Sequence, residues 1–174
     1  MIQPETNIVL IGMAGSGKSS IGRLLAGKMN RIFIDTDELI EKEAGIPLQE
    51  IINSRGLETF QVLEEKVLAG LTVTGHVIAT GGSAVYSRTG ILHLKKNSVV
   101  IFLDVGYQLL LKRINNFDSR GLVKHPHQTF SGLYNERLPL YRQYADYTLS
   151  CGTKTKPEIC REIIKLLQNA NMKG

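Results

Sequence analysis

The fold of this chain is decided by the stretch Gly12-Met13-Ala14-Gly15-Ser16-Gly17-Lys18-Ser19, a glycine-rich turn between two segments of different periodicity. Before it, Asn7-Ile8-Val9-Leu10-Ile11 is a continuous apolar run rich in β-branched residues, which predicts a buried central strand. After it, apolar residues recur at helical spacing from Ser19 to Met29. A strand, a glycine-rich turn and a helix therefore follow one another.

This turn matches the pattern G-x-x-x-x-G-K-[ST] at every defined position. Its glycines permit backbone angles that let successive N–H groups point at phosphate oxygens, and the helix presents its positive end to the same anion. Lys18 adds a charge for the β- and γ-phosphates, and the Ser19 hydroxyl can ligate Mg²⁺. The sequence predicts a P-loop for ATP and Mg²⁺. The predicted nucleotide-binding residues of the loop are Gly12, Ala14, Gly15, Ser16, Gly17, Lys18, Ser19 and Ser20.

The rest of the chain alternates short apolar runs with amphipathic segments, a pattern typical of an α/β fold. The predicted strands are 7–11, 31–34, 76–79, 98–104 and 147–150. The predicted helices are 19–29, 37–44, one from Pro47 to Gly56, 57–71, 106–114, 129–145 with a break or kink near Pro139, and 157–169. Crossover helices favour a parallel sheet, so we predict a three-layer α/β/α fold with ligands beyond the carboxyl ends of the strands.

Length and composition predict one globular domain, residues 1–174. Hydrophobic residues make up 43% and charged residues 21%, and the net charge of +5 is spread without a basic run. No segment has the roughly 20 apolar residues that span a bilayer, and the N-terminus does not resemble a targeting peptide. We therefore expect a cytoplasmic monomer with two reduced cysteines that binds a small molecule and neither nucleic acid nor a membrane.

Two predicted strands end in residues suited to chemistry. The second is followed by Asp35-Thr36-Asp37, where one carboxylate can organise Mg²⁺ and the other can orient an attacking hydroxyl. The alternative is that Asp37 only caps a helix. The third is followed by Thr80-Gly81-Gly82-Ser83, whose glycines allow a close approach to a ligand. An ordinary turn is the alternative there.

The stretch 115–130 contains Gly121, Pro126 and two histidines, and a loop of this length in a small domain is typical of a lid. Three arginines lie in or near it: Arg113, Arg120 and Arg137. Arginine binds phosphate and carboxylate in bidentate fashion, although any single arginine is more often solvated. Arg120 lies where a charge can close over the transferring phosphoryl group.

Taken together, these residues resemble the shikimate kinase family over essentially the whole chain. The motifs that carry the resemblance are the P-loop 12–19, Asp35-Thr36-Asp37, Phe60 with Glu64, Gly81-Gly82, Arg120 in the lid, and Arg137-Leu138-Pro139-Leu140-Tyr141. The resemblance implies a nucleoside-monophosphate-kinase-like fold with sheet order 2-3-1-4-5. It also implies ATP-dependent phosphorylation of the 3-hydroxyl of shikimate.

The same resemblance implies a role for individual residues. Asp37 would hold the substrate hydroxyls and act as a base, and Asp35 would organise Mg²⁺ through water. Arg137 would bind the substrate carboxylate, and Arg120 would bridge the ATP phosphates. Arg113 and the segment 153–157, beginning at Thr153, would enclose adenine.

Three positions depart from the family pattern. Gln61 stands where the family usually has an arginine that binds the shikimate carboxylate, a loss of about 1.5–3 kcal/mol, or roughly 10- to 150-fold in affinity. Ser83 replaces a third glycine at the substrate wall. Gly121 replaces a proline in the lid and loosens it.

These departures leave several functions open. The acceptor is shikimate or another small hydroxylated metabolite, such as a sugar acid or a hydroxyamino acid. A catalytically degenerate protein that binds ATP for regulation is a second alternative, and a nucleoside or nucleotide kinase is a third. The predicted substrate residues are Asp37, Gln61, Gly81, Gly82, Ser83 and Arg137, with Lys18, Asp37 and Arg120 catalytic and Ser19 and Asp35 at the metal.

Overall fold

The structure is a computed structural model that describes residues 3–114, 123–125 and 127–172, without the side chains of residues 171 and 172. Five strands are present in these ranges: β1 (Asn7–Ile11), β2 (Phe33–Asp35), β3 (Val77–Ala79), β4 (Ser98–Asp104) and β5 (Tyr147–Ser150). The helices are α1 (Lys18–Met29), α2 (Thr36–Ala44), α3 (Leu48–Arg55), α4 (Leu57–Ala69), α5 (Arg88–Lys95), α6 (Tyr107–Arg113), α7 (Phe130–Tyr144) and α8 (Lys156–Met172), with a 3₁₀ turn at Ala84–Tyr86.

All five strands are parallel and lie in the order β2-β3-β1-β4-β5. β1 is central and completely buried, as its apolar run predicts. It pairs with β3 through Val9 and Ile78, and with β4 through Val9 and Val100. The predicted α/β/α architecture and strand order are confirmed. Because the strands are parallel, the segments after β1, β2 and β3 meet at one edge of the sheet.

The core has two parts in the described ranges. The larger one joins the sheet to the helices on both of its faces. A smaller cluster, with Ile40, Ile51, Phe60 and Val123 buried at its centre, joins α2, α3 and α4. This smaller cluster supports the side of the molecule where β2 and β3 end. Neither cysteine forms a disulfide.

Two features between the strands differ from the sequence-based expectation. The 3₁₀ turn and α5, which connect β3 to β4, carry too short an apolar pattern to be predicted. Ser87 begins α5 by accepting a hydrogen bond from the backbone N–H of Gly90 at 3.0 Å. Helix α7 includes Pro139 in its interior and is not broken there. No helix in the described part of the chain is both long and apolar enough to cross a membrane.

Two glycines of α1 should respond oppositely to alanine. A Cβ on Gly22 would lie 2.5 Å from Cε2 of Phe33, whereas a Cβ on Gly27 meets nothing within 4 Å. We expect Gly22→Ala to lower the free energy of unfolding by about 1–3 kcal/mol through overpacking. Gly27→Ala should raise it by about 0.5–1 kcal/mol through helix propensity. Urea unfolding of both variants checks this, and equal effects would contradict the packing shown for Phe33.

Candidate active site

A cleft of about 640 Å³ lies at the carboxyl ends of the central strands. It brings together most residues predicted for the site: Ala14, Gly15, Ser16, Gly17, Lys18, Ser19, Ser20, Asp37, Gly81, Gly82, Ser83, Arg113 and Arg137. Gly12, Asp35, Gln61 and Thr153 are not among the residues that line it. Arg120 lies outside the described residues, as does most of the predicted lid.

The P-loop forms the phosphate end of the cleft. Gly15 and Gly17 have φ angles of 78° and 95°, a left-handed conformation that glycine adopts without strain. The Lys18 ammonium is buried and donates to the carbonyl oxygens of Gly12 at 2.8 Å and Met13 at 2.9 Å. Burial lowers the pKa of Lys18 to about 8, against the opposing effect of Asp37 and Asp35. A bound phosphate would favour the charged form of Lys18.

The two aspartates after β2 have different environments. Asp35 is the N-cap of α2, because its Oδ1 accepts a hydrogen bond from the backbone N–H of Asp37 at 3.1 Å. Asp37 is therefore not the capping residue, and its carboxylate lines the cleft. The pKa of Asp37 is raised to about 6, mainly by burial and next by the charge of the Asp35 carboxylate, while Lys18 opposes the shift.

Gly81 and Gly82 are required by the close approach of other groups. A Cβ on Gly81 would lie 2.5 Å from Oδ1 of Asp37 and 2.9 Å from Oε1 of Glu64. A Cβ on Gly82 would lie 3.1 Å from Nη1 of Arg137. Gly81 therefore leaves room for the two carboxylates, and Gly82 leaves room for the guanidinium.

Arg137, the predicted acceptor-binding cation, lines the cleft with 1% of its surface exposed. Its Nε donates to the Tyr86 hydroxyl at 3.3 Å, its Nη2 donates to the Val123 carbonyl, and its guanidinium lies over the Tyr86 ring. No carboxylate in the described part of the chain forms an ion pair with it. A buried guanidinium without a carboxylate partner favours an anionic ligand.

The structure adds residues to the site that the individual motifs do not specify. The Tyr141 hydroxyl donates to the carbonyl of Gly82 at 2.6 Å and fixes that peptide group. The Ser83 hydroxyl donates to Oε1 of Glu64 at 2.8 Å. Glu64 and Tyr141 occur within the family-like motifs, yet the sequence provides no signal for these contacts. Gln61 lines a separate depression beside α4.

The part of the cleft predicted to bind adenine combines two segments that are distant in sequence. Arg113 donates to the carbonyl of Gly15 at 3.4 Å, and Lys154, Thr155 and Lys156 line the cleft beside it. Thr153, the first residue of the predicted adenine wall, is exposed. The wall of the cleft thus begins one residue after it.

Together, the parallel sheet, the P-loop after β1 and the carboxylate after β2 define a P-loop phosphotransferase. The shikimate kinase family model matches residues 14–168. The chain belongs to the shikimate kinase family, whose members are kinases that use ATP and Mg²⁺ on an alcohol acceptor.

Similar proteins agree with this assignment. The shikimate kinase of Caldanaerobacter subterraneus is 40% identical over 91% of this chain and 94% of its own length. The structure of shikimate kinase from Acinetobacter baumannii in complex with shikimate superimposes with a TM-score of 0.88 at 31% identity, covering 95% of this chain and 94% of that one. The Aquifex aeolicus shikimate kinase gives a TM-score of 0.81 at 30% identity, with coverage of 97% and 99%.

The close approach at Gly81 yields a prediction for the acceptor site. Gly81→Ala should displace Asp37 and Glu64 and lower kcat/KM for the acceptor by roughly 100-fold, because catalysis is sensitive to displacements of about 1 Å. The control is Gly106→Ala, since a Cβ there meets nothing within 4 Å. Steady-state kinetics check this, and equal activities of the two variants would contradict the geometry.

Proposed function

We propose that this chain transfers the γ-phosphoryl group of ATP to the 3-hydroxyl of shikimate. The observation that carries the proposal is the presence of Asp37, Arg137 and the P-loop lysine in one cleft. The Acinetobacter relative, whose structure holds shikimate, supports the choice of acceptor. Shikimate offers a carboxylate for Arg137 and hydroxyls for Asp37, which matches the charges of the two groups.

The P-loop would hold the nucleotide in the proposed complex. Its N–H groups and Lys18 bind the β- and γ-phosphates, and Arg113 with 154–156 borders the adenine. Mg²⁺ neutralises phosphate charge when bound. Ser19, which lines the cleft, would be a direct ligand of the ion, and Asp35 would act on it through water.

Asp37 would orient the acceptor hydroxyl and take up its proton as the new P–O bond forms. Its carboxylate already lies in the cleft, and the Asp35 cap fixes the helix turn that carries it. Arg137 would bind the acceptor carboxylate and set the distance of the hydroxyl from the γ-phosphorus. Arg120 remains a proposed phosphate-bridging residue of the lid.

The same geometry supports the remaining proposals about partners. The basic side chains that line the cleft suit a nucleotide, so nucleic acid and membranes are not needed as partners. A single domain, residues 1–174, that acts as a monomer remains part of the proposal. ATP as phosphoryl donor supports a cytoplasmic activity.

The position of Gln61 in the depression beside α4 favours a second class of acceptor. Gln61 is uncharged and lines a separate depression, so Arg137 would hold an acceptor carboxylate without help from this position. A single guanidinium contact discriminates less strongly among hydroxy acids. Sugar acids and hydroxyamino acids are therefore the alternative acceptors.

The deciding measurement is ADP release with shikimate beside a panel of sugar acids, homoserine and nucleoside monophosphates. We expect shikimate to give a kcat/KM of about 10⁴ M⁻¹s⁻¹ or more, the ordinary range for an enzyme on its own substrate. A stronger response to another acceptor would replace shikimate in the proposal. ATP binding without turnover on any acceptor would support a degenerate regulator.

The role of Asp37 is tested by Asp37→Asn. This variant should lose about 10²- to 10⁴-fold in kcat, the usual contribution of a general base, while retaining ATP affinity. Exposed Glu38 on the same helix, paired with Arg23, provides the control variant Glu38→Gln. Isothermal titration with ATP and steady-state kinetics separate the effects. An equal loss of ATP affinity would assign Asp37 to the metal instead.

A further inference from the structure

Glu64 is a buried acid that the proposed mechanism does not use. It lies on α4 with 1% of its surface exposed, and its Oε1 accepts a hydrogen bond from the Ser83 hydroxyl. No lysine or arginine in the described part of the chain forms an ion pair with it. An ionised carboxylate is costly to bury without a cation, so this environment favours the protonated acid.

The groups around Glu64 divide into two kinds. Asp37 of α2 is its acidic neighbour, since one oxygen of each carboxylate would lie within 3 Å of a Cβ on Gly81, at 2.5 Å for Asp37 and 2.9 Å for Glu64. Arg137 of α7 is the cation that acts on the Glu64 carboxyl through its charge, but its guanidinium bonds Tyr86 and Val123. Asp37 and Arg137, which line the cleft, therefore both act on the charge of Glu64, although Glu64 itself lines the neighbouring depression with Gln61.

Other titratable side chains nearby are engaged elsewhere or neutral. On α4, the Lys66 ammonium pairs with Glu43, and the Glu65 carboxylate accepts from the Ser87 hydroxyl at 2.7 Å. The Tyr141 hydroxyl of α7 is bonded to the Gly82 carbonyl. One helical turn before Glu64 stands Gln61, which carries no charge.

We propose that Glu64 is a positioning residue of the acceptor site that works as an uncharged acid held by Ser83, and that losing its proton weakens the binding of an anionic acceptor. An ionised Glu64 would attract the Arg137 guanidinium and compete with the acceptor carboxylate for it. It would also place a second negative charge beside Asp37. The inference rests on the proposed function for the choice of an anionic acceptor.

The electrostatics agree with this assignment. Burial, with a further contribution from Asp37, raises the pKa of Glu64 to about 8, although the Ser83 hydrogen bond and Arg137 oppose the rise. Glu64 would therefore keep its proton at neutral pH and lose it in mildly alkaline solution. Glutamine has the same shape as a protonated glutamate and cannot ionise, so Glu64→Gln preserves the proposed working state.

The first experiment compares the pH dependence of kcat/KM for shikimate in the wild type and in Glu64→Gln at saturating Mg·ATP, where the phosphates keep Lys18 charged. In the wild type, kcat/KM should fall about tenfold for each pH unit above about 8, which is the behaviour expected when one proton is essential. Glu64→Gln should match the wild type at pH 7 and keep its activity at pH 9. A large loss at pH 7 with an unchanged alkaline limb would show that Glu64 works as a carboxylate and overturn the proposal.

Two further variants sharpen the result. Ser83→Ala removes a hydrogen bond that favours the ionised form, so the alkaline fall should move to higher pH. Glu65→Gln is the matched control, because Glu65 is also bonded to a serine hydroxyl but, unlike Glu64, is not among the groups that approach Gly81. Its pH profile should equal that of the wild type. A shift in Glu65→Gln as large as that in Glu64→Gln would overturn the assignment.

A second experiment needs no acceptor. Because the folded pKa of Glu64 lies above its ordinary value of 4.5, the folded state keeps a proton that the unfolded state loses between pH 4.5 and about 8. Stability from this group is complete below pH 4.5 and is lost as the pH rises through that window, by up to about tenfold in the unfolding constant per pH unit. Relative to the wild type, Glu64→Gln should gain stability across this window.

Urea unfolding of both proteins from pH 4.5 to 9 measures the difference. Identical pH dependences would mean that Glu64 carries no extra proton and would overturn the proposal. If shikimate is not the acceptor, only the kinetic experiment with shikimate fails, while the unfolding experiment still decides the state of Glu64. The failure of the proposed function is thus distinguishable from the failure of this inference.

Discussion

The site depends above all on the parallel pairing of β1 with both of its neighbours. β1 is buried along its whole length and pairs with β3 and β4. This pairing places the P-loop, which leaves β1, beside the segment after β3. β2 then pairs with β3 and brings Asp35 to the same edge. A one-residue slip in this register would turn the residues at the strand ends toward the wrong face.

Charge is distributed unevenly across the cleft that results. At the nucleotide end, Lys18 is held by two carbonyls and lies within the influence of Asp35 and Asp37. At the acceptor end, Arg137 bonds only neutral oxygens among the described residues, while Glu64 is bonded to a hydroxyl. Room for these groups depends on two glycines, because the acids approach Gly81 and the guanidinium approaches Gly82.

Much of the fold could be predicted because the strands carry strong local signals. β1, β4 and β5 have the predicted bounds, and Gly45 ends α2 with a φ of 74°, as a glycine after a helix should. The strand order followed from the family resemblance rather than from any local pattern. By contrast, α5 was missed because eight residues with few apolar positions produce only a weak periodic signal.

The site was predictable in its residue types and less so in its contacts. The P-loop motif identifies its phosphate-binding groups directly, because the glycine pattern predicts that the backbone N–H groups of the loop point at the phosphates. The residue that caps α2 is Asp35, because its carboxylate accepts a hydrogen bond from the backbone N–H of Asp37. The sequence alone is compatible with either aspartate as the cap. The bond between Ser83 and Glu64 joins residues 19 positions apart and depends on how α4 packs, so no local pattern indicates it.

Within the described ranges, no carboxylate forms an ion pair with the buried Arg137, and this affects the stability of the protein. A folded state that buries a guanidinium without a counter-ion is less stable than one in which an anion occupies the cleft, so ligand occupancy and resistance to unfolding are linked. Sulfate, phosphate or a carboxylic acid buffer would then protect the protein during handling in proportion to its affinity for this position.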